Sequence, residues 1–562
     1  MLLPSIVLLT IIWNGLSLAE SSVEQDDLRV CIEDGCLLGK SFEGLGSRYK
    51  GFLDVRYAKP PVGDLRFRNP QPVEPWEGDY DATSAKFNCV QKNDLWPEQQ
   101  VEGNEDCLYL NVFVPETPKR KSLAVMMYIH GGGYFAGSSS MGEFGPDRFM
   151  DTGEVILVVI QYRLGVFGFL STGDGAATGN FGLKDQTAAL RWIQRNIAKF
   201  GGDPEKVTIF GQSAGGASVQ MHMLSPLSRG LFSKAIIMSG STLGFWTWPL
   251  EDPLNFARQQ ASVVGIESAK RMSSEELVNA LRRVDAMELG KSIDQLKFWH
   301  TYPLTPYHTV VEKFVDNETF IAEDPQTLWR EGKYAQVPWM AGWVPNEGAF
   351  ASAALLLNQK LLGQLKEKSS SLIPKILGFE PSEKTSQMIR DRFFPGGTED
   401  HWITDSNVEG IEDLYSETFI KYPLMYSVKQ HIDSNITDKS SLQMYYFAFK
   451  GNHSYSRYFA KSNRDFGVSH SDDLSYLFRG GDMFDDFQES SPEAAMAARL
   501  VDFYVRFANE GVDEEHKCVA QNCKMLKFSK ASGDKQNPVD ETLIPAIDEK
   551  MLEFWNEIYN QE

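Results

Sequence analysis

A chain of 562 residues with 42% apolar side chains can bury a large core, and its length permits about two to four domains. The formal charge of −21 at pH 7 argues against binding to nucleic acid or to an anionic membrane surface, and for a soluble acidic protein.

Residues 1–19 are an apolar run that closes on Ser17-Leu18-Ala19, with small residues at the spacing of a signal-peptidase site. This predicts a signal peptide over 1–19 and a secreted, extracellular protein. No later run reaches the ~18 uninterrupted apolar residues of a membrane span, so no membrane anchor is expected. Residues 28–40 read as a strand pair turning at Glu33-Asp34-Gly35, and 49–57 as a further strand. Residues 123–129 and 155–162 are apolar runs of the length of fully buried strands. Residues 184–199 have helical periodicity through Ala188, Leu190, Trp192 and Ile197. Residues 207–210 and 235–238 read as buried strands on either side of a helix that starts near Ala217. From about 250 to 440 the pattern is polar and helical, with one strand at 337–341. A late strand at 443–449 and an amphipathic helix at 494–509 follow, and 551–559 closes the chain. Strand, helix and buried strand in alternation predict an α/β fold with a central, mostly parallel sheet covered by helices. No linker marks a boundary, so residues 20–562 are read as a single catalytic domain with inserted cap helices.

The six cysteines suit an oxidising compartment, and local pairing would join Cys31 to Cys36, Cys89 to Cys107 and Cys518 to Cys523. Neither C-x4-C pair has a nearby His ligand set, so no zinc, other metal or cofactor is expected. Asn317, Asn435 and Asn452 begin N-x-[ST] sequons in polar surroundings, as surface glycans require.

Two Gly-rich turns follow buried strands. Gly211-Gln212-Ser213-Ala214-Gly215 is a G-x-S-x-G turn between a strand and a helix, the connection that lifts a serine hydroxyl clear of a sheet. His130-Gly131-Gly132-Gly133 supplies backbone N–H groups on a loop with few side chains, as an oxyanion hole requires. Gly132, Gly133 and Ala214 are the expected donors. A nucleophilic serine needs a base, and the base needs a carboxylate. His470 is the candidate base, in a loop with Gly467 three residues before it. His401, His431, His453 and His516 have hydrophilic neighbours and read as surface. Glu347 follows a buried strand, where a carboxylate is costly without a partner. Asp472 and Asp473 are nearer His470 in sequence, but neighbours on one loop rarely aim at the same imidazole.

Together these stretches resemble the type-B carboxylesterase/cholinesterase family of α/β-hydrolases, from about residue 28 to 559. The most specific pieces are Glu105-Asp106-Cys107-Leu108-Tyr109-Leu110-Asn111-Val112, Gly131–Gly133, Phe210–Gly216, Asn346-Glu347-Gly348 and Gly467-Val468-Ser469-His470. The resemblance implies Ser213, Glu347 and His470 as triad and Cys89–Cys107 as an early disulfide. It implies Ser239 as a hydroxyl near the triad and Trp246 as part of the acyl pocket. Arg66 with Glu105, and Arg163 with Asp185, resemble structural ion pairs. Gln212 stands where cholinesterases carry a glutamate and is placed in the substrate pocket. Its neutrality, with a Cys89–Cys107 loop shorter than theirs, leaves Trp96 in doubt as a cation-binding face and argues against choline esters. Gly-Gln-Ser-Ala-Gly also resembles the serine motif of insect juvenile hormone esterases. Lys184, Arg191 and Arg195 share one helix face and read as a solvated basic stripe.

The expected activity is hydrolysis of hydrophobic carboxylic esters through an acyl-enzyme, with juvenile hormone as the favoured substrate. The alternatives are a broad detoxifying or odorant-degrading carboxylesterase and, remotely, a non-catalytic cholinesterase-like adhesion module. Nothing in the pattern gives an oligomeric state.

Overall fold

The computed structural model describes residues 28–96, 99–434, 440–519, 522–531 and 538–559. The expected signal peptide and the Asn435 sequon lie outside these residues. In chain order the strands are β1 (Arg29–Ile32), β2 (Gly35–Leu38), β3 (Lys40–Glu43), β4 (Arg48–Arg56), β5 (Asp79–Asp81), β6 (Tyr109–Pro115) and β7 (Leu123–Ile129). They continue with β8 (Val155–Ile160), β9 (Gly202–Gln212), β10 (Lys234–Met238), β11 (Trp339–Trp343), β12 (Leu442–Phe447), β13 (Lys524–Lys530) and β14 (Val539–Pro545).

Eleven of them form one sheet in the order β14-β13-β12-β11-β10-β9-β7-β8-β6-β4-β3; β1, β2 and β5 form a small second sheet. The run from β13 through β12, β11, β10, β9 and β7 to β8 is parallel. The flanking pairs β13–β14, β8–β6, β6–β4 and β4–β3 are antiparallel. This is the α/β-hydrolase fold.

β7, β8 and β11 are apolar along their whole length because helices cover both faces. Every residue of β7, β8 and β11 is buried. At the edge, β14 (Val-Asp-Glu-Thr-Leu-Ile-Pro) carries exposed polar residues that discourage pairing with another chain. The helix Ala214–Leu224 packs on β9 and β10, with all of its residues buried. The helix Pro492–Glu510 is capped by the Ser491 side chain accepting from the Ala494 amide, and it ends at Gly511.

Several bounds differ from the sequence reading. β9 begins five residues before the apolar run 207–210, because Leu123 of β7 pairs with Gly202 across an irregularity in the register. β13 and β14 are half-exposed and carry no strong apolar pattern, so the sequence does not reveal them. The supposed basic stripe is not solvated throughout. Lys184 is 2% exposed, and its ammonium donates to Glu312 Oε2 at 2.7 Å, to Thr178 Oγ1 and to Asn69 Oδ1. Arg191 and Arg195 remain half-exposed, opposite Glu318 and Glu33. His431 is not at the surface either: it is buried, with its ring against Trp339 and its Nδ1 2.6 Å from the Tyr334 hydroxyl. Burial pushes its pKa down to about 4, so it is neutral at pH 7.

Candidate active site

All the candidate groups gather at the carboxyl ends of the central strands, where open α/β sheets bind ligands. β9 runs into Ser213, which sits at φ 59° and ψ −123° with the helix starting at the next residue. That left-handed backbone is costly for a serine, and its neighbours hold it in place. The Ser213 amide donates to Met238 O at 2.9 Å, and Ser213 O accepts from the Ala217 amide at 2.9 Å. The crossing is so close that a Cβ on Gly215 would collide with the Ile129 carbonyl.

The loop after β7 packs directly on this turn: a Cβ on Gly131 would lie 2.9 Å from that of Ser213. Gly132 has φ 96° and Gly133 φ 59°, and Gly132 O accepts from the Phe135 and Ala136 amides at 3.0 and 2.9 Å. Such a turn is closed to most side chains. Ala214 is the first residue of its helix, so its N–H has no intrahelical acceptor and lies at the positive end of the helix dipole. The His130 ring stacks on Tyr162, 4.4 Å between centroids, and burial drives its pKa down to about 4. It supports the loop as a neutral group.

Glu347 follows β11 and is fully buried. Its Oε1 accepts from the Ser239 hydroxyl at 2.6 Å and the Val344 amide at 2.8 Å, and its Oε2 lies 2.5 Å from His470 Nδ1. The His470 loop is fastened to the Glu347 loop by the Asn346 amide donating to Val468 O at 3.0 Å, and by the Val468 amide donating to Asn346 Oδ1 at 3.2 Å. With Nδ1 facing a carboxylate, the neutral imidazole carries its proton there and presents a lone pair at Nε2. Asp472 and Asp473 point elsewhere. Asp472 accepts from the Tyr455 and Ser469 amides at 2.7 and 2.8 Å, while Asp473 Oδ2 accepts from the Tyr445 hydroxyl at 3.3 Å.

Ser213, Gly133 and His470 line a cavity whose walls are largely apolar, with Leu95, Phe135, Trp246, Leu304, Phe350 and Phe419 among them. Trp246 is fixed by its Nε1–H, which donates to Phe419 O at 2.7 Å. Phe419 lies in a π-helical turn, Ser416–Lys421, which interrupts an otherwise α-helical segment. Among these wall residues the sequence reading named Trp246 alone. The others are apolar residues on separate loops and cap helices, and periodicity does not distinguish a pocket wall from core. Gln212, placed in the pocket by the sequence reading, does not line this cavity. It is buried beside His470, with its side-chain nitrogen 3.0 Å from His470 Nε2.

The model of the carboxylesterase family matches residues 26–546. The chain belongs to the carboxylesterase family. Among the relatives of this carboxylesterase, the juvenile hormone esterase of Tribolium castaneum is 39% identical over 518 residues, covering 89% of this chain and 86% of that protein. Venom carboxylesterase-6 of Apis mellifera is 34% identical, covering 83% and 82%. The crystal structure of juvenile hormone esterase from Manduca sexta, with OTFP covalently attached, superposes with a TM-score of 0.80 at 28% identity, covering 95% of this chain and 99% of that one. The protein is a carboxylic ester hydrolase.

The remaining features of this carboxylesterase concern its scaffold. Arg66 pairs with Glu105, and Arg163 with Asp185 at 2.7 Å, both away from the cavity wall. Three disulfides join Cys31 to Cys36, Cys89 to Cys107 and Cys518 to Cys523. Asn317 and Asn452 are exposed. Among the described residues no helix is long and apolar enough to cross a membrane, and no group of three or more His, Cys, Asp or Glu could hold a metal ion.

Proposed function

We propose that Ser213, His470 and Glu347 are nucleophile, general base and orienting acid, with the Gly132, Gly133 and Ala214 amides as oxyanion donors. The observation that carries this reading is the Glu347–His470 contact of 2.5 Å, opening into the cavity that Ser213 shares. His470 Nε2 takes the Ser213 proton as Oγ attacks the ester carbonyl carbon, and the amides receive the resulting oxyanion. Collapse breaks the C–O bond, and the leaving alcohol takes its proton from His470. Water, deprotonated by the same Nε2, then attacks the acyl-enzyme, and Ser213 leaves with that proton. Ser239 holds Glu347 in place, and Trp246 shapes the wall that receives the substrate.

The substrate is a small hydrophobic ester, because the walls are aliphatic and aromatic. Juvenile hormone is the favoured one: the Gly-Gln-Ser-Ala-Gly turn and the 39% identity to a juvenile hormone esterase support it. The protein is secreted, with the signal peptide over 1–19 removed and glycans on Asn317, Asn435 and Asn452. The test is kcat/KM on juvenile hormone and on naphthyl acetate in parallel, with Ser213→Ala as control. A much higher constant for the hormone supports the hormone reading. Fast naphthyl acetate turnover with negligible hormone hydrolysis makes the protein a broad carboxylesterase. Substantial activity in Ser213→Ala rejects the triad.

A further inference from the structure

Gln212 is the last residue of β9 and is 3% exposed; its side chain meets the one imidazole nitrogen that Glu347 does not engage. We infer that Gln212 is a positioning residue that sets the proton affinity of His470, by partnering Nε2 in both protonation states of the ring. The inference rests on the triad reading above. With Nδ1–H directed at Glu347, neutral Nε2 is an acceptor, and the Gln212 amide donates to it across 3.0 Å. Once Nε2 takes a proton, the same nitrogen needs an acceptor. A primary amide supplies one by turning half a revolution about its terminal torsion, a broad two-fold rotor, to present Oε1. The amide thus holds the ring between turnovers and yields Nε2 to the Ser213 hydroxyl when the base acts, without bringing a net charge.

The other groups around the ring show why neutrality matters at this position. Glu347 already places a carboxylate on Nδ1. Asp473 is a second buried carboxyl close enough to feel the charge of His470, and the Tyr445 hydroxyl donates to it. Glu412 bonds to Asn346 beside Glu347, and Asp472 to the Ser469 amide beside His470. Phe350 covers one ring face, with centroids 4.9 Å apart. Burial pushes the Asp472, Asp473 and Glu412 carboxyls up, which leaves Glu347 as the carboxylate in contact with the ring. A carboxylate at position 212 would add one more negative charge, in direct contact with Nε2. The neutral amide adds no charge there.

The decisive experiment follows the rate constant for phosphorylation of Ser213 by a neutral organophosphate from about pH 5 to 9, in the wild type, Gln212→Glu and Gln212→Met. A contacting opposite charge raises an imidazole pKa by about one unit or more, so the acid limb of Gln212→Glu should move up by about that amount. Phosphorylation near pH 6 then slows roughly tenfold, while the alkaline plateau stays within about threefold of wild type. Gln212→Met fills similar space without donor or acceptor, leaves imidazolium unpartnered and should move the limb down. Should Gln212→Glu not fold, Gln212→Met decides alone. Limbs that coincide within about 0.3 pH units while Ser213 is labelled stoichiometrically overturn the role of Gln212 and leave the triad standing. Labelling that persists in Ser213→Ala rejects the triad instead.

Discussion

At the scale of single residues, the site depends on groups that touch the Glu347–His470 pair rather than the substrate. Ser239 itself sits at φ 47°, and its hydroxyl donates to Glu347 Oε1 at 2.6 Å. A hydrogen bond to a charged group contributes about 1.5–3 kcal/mol, so Ser239→Ala should lower kcat by about tenfold or more with little change in KM. Equal kcat in the variant would show that the Val344 amide alone holds Glu347. Asp473 makes the opposite kind of prediction. Burial first, and the Glu347 charge second, raise its pKa to about 7, against His470, which lowers it. In the unfolded chain it titrates near the ordinary value of about 3.9. Between about pH 4 and 7 the unfolded state has therefore released a proton that the folded state retains, and stability falls as pH rises through this window. The penalty is fully present above pH 7. Asp473→Asn keeps an acceptor for the Tyr445 hydroxyl and removes the charge. It should raise stability at pH 8 by roughly 4 kcal/mol and much less near pH 4, measured by urea unfolding at both. Equal gains at the two pH values would disprove the linkage.

At the scale of elements, the helix Phe181–Asn196 is clamped to the segment that carries Val310 and Glu312. Lys184 and Glu312 are both almost fully buried, and burial is the largest influence on each, lowering the lysine pKa and raising the glutamate pKa. Removing one partner leaves an uncompensated charge, so Lys184→Met should cost about 3–5 kcal/mol. Adding Glu312→Gln should recover at least about 1 kcal/mol, because Asn180 can still bond to the amide oxygen. A double variant no more stable than the single one would mean that the pair is not the coupling unit. This clamp also shows where the sequence stops being informative. Lys184 lies at helical spacing from Arg191 and looks solvated until a segment more than a hundred residues later covers it. Ser213, Glu347 and His470, the proposed triad, stand out in the sequence because each follows a buried strand or a Gly-rich turn that has few other uses. The pocket wall was not, because Leu95, Leu304 and Phe419 come from three distant segments and look like ordinary core. The π-helical turn that presents Phe419 has no local signature, and Pro423 in its wake reads equally as a helix start. β13 and β14 stayed hidden for the reverse reason: β14 is a polar edge strand and β13 beside it is half-exposed, so their alternation is weak.

At the scale of the whole molecule, the three disulfides divide their work unequally. In the chain-entropy account, a cross-link stabilises by restricting the unfolded chain, and the effect grows with the logarithm of the loop it closes. Cys31–Cys36 and Cys518–Cys523 each span 5 residues, and Cys89–Cys107 spans 18. The expected losses are about 2 kcal/mol for either short loop and about 3 kcal/mol for the long one. Stability alone therefore separates them little. Position separates them more. The loop of 18 carries Leu95 into the cavity wall, and next to it Lys92 and Asp94 pair with Asp294 and Lys297 of the cap segment. Opening that loop loosens both the wall and the contact between core and cap, whereas β1–β2 and β13 lie away from the cavity. The Cys89→Ser/Cys107→Ser variant should therefore raise KM for a bulky hydrophobic ester several-fold more than for naphthyl acetate. The two short-loop variants should lower the unfolding midpoint while leaving that KM ratio unchanged. If all three variants changed the ratio alike, the pocket would depend on global stability, and the disulfide loop would lose its place as a wall of the site.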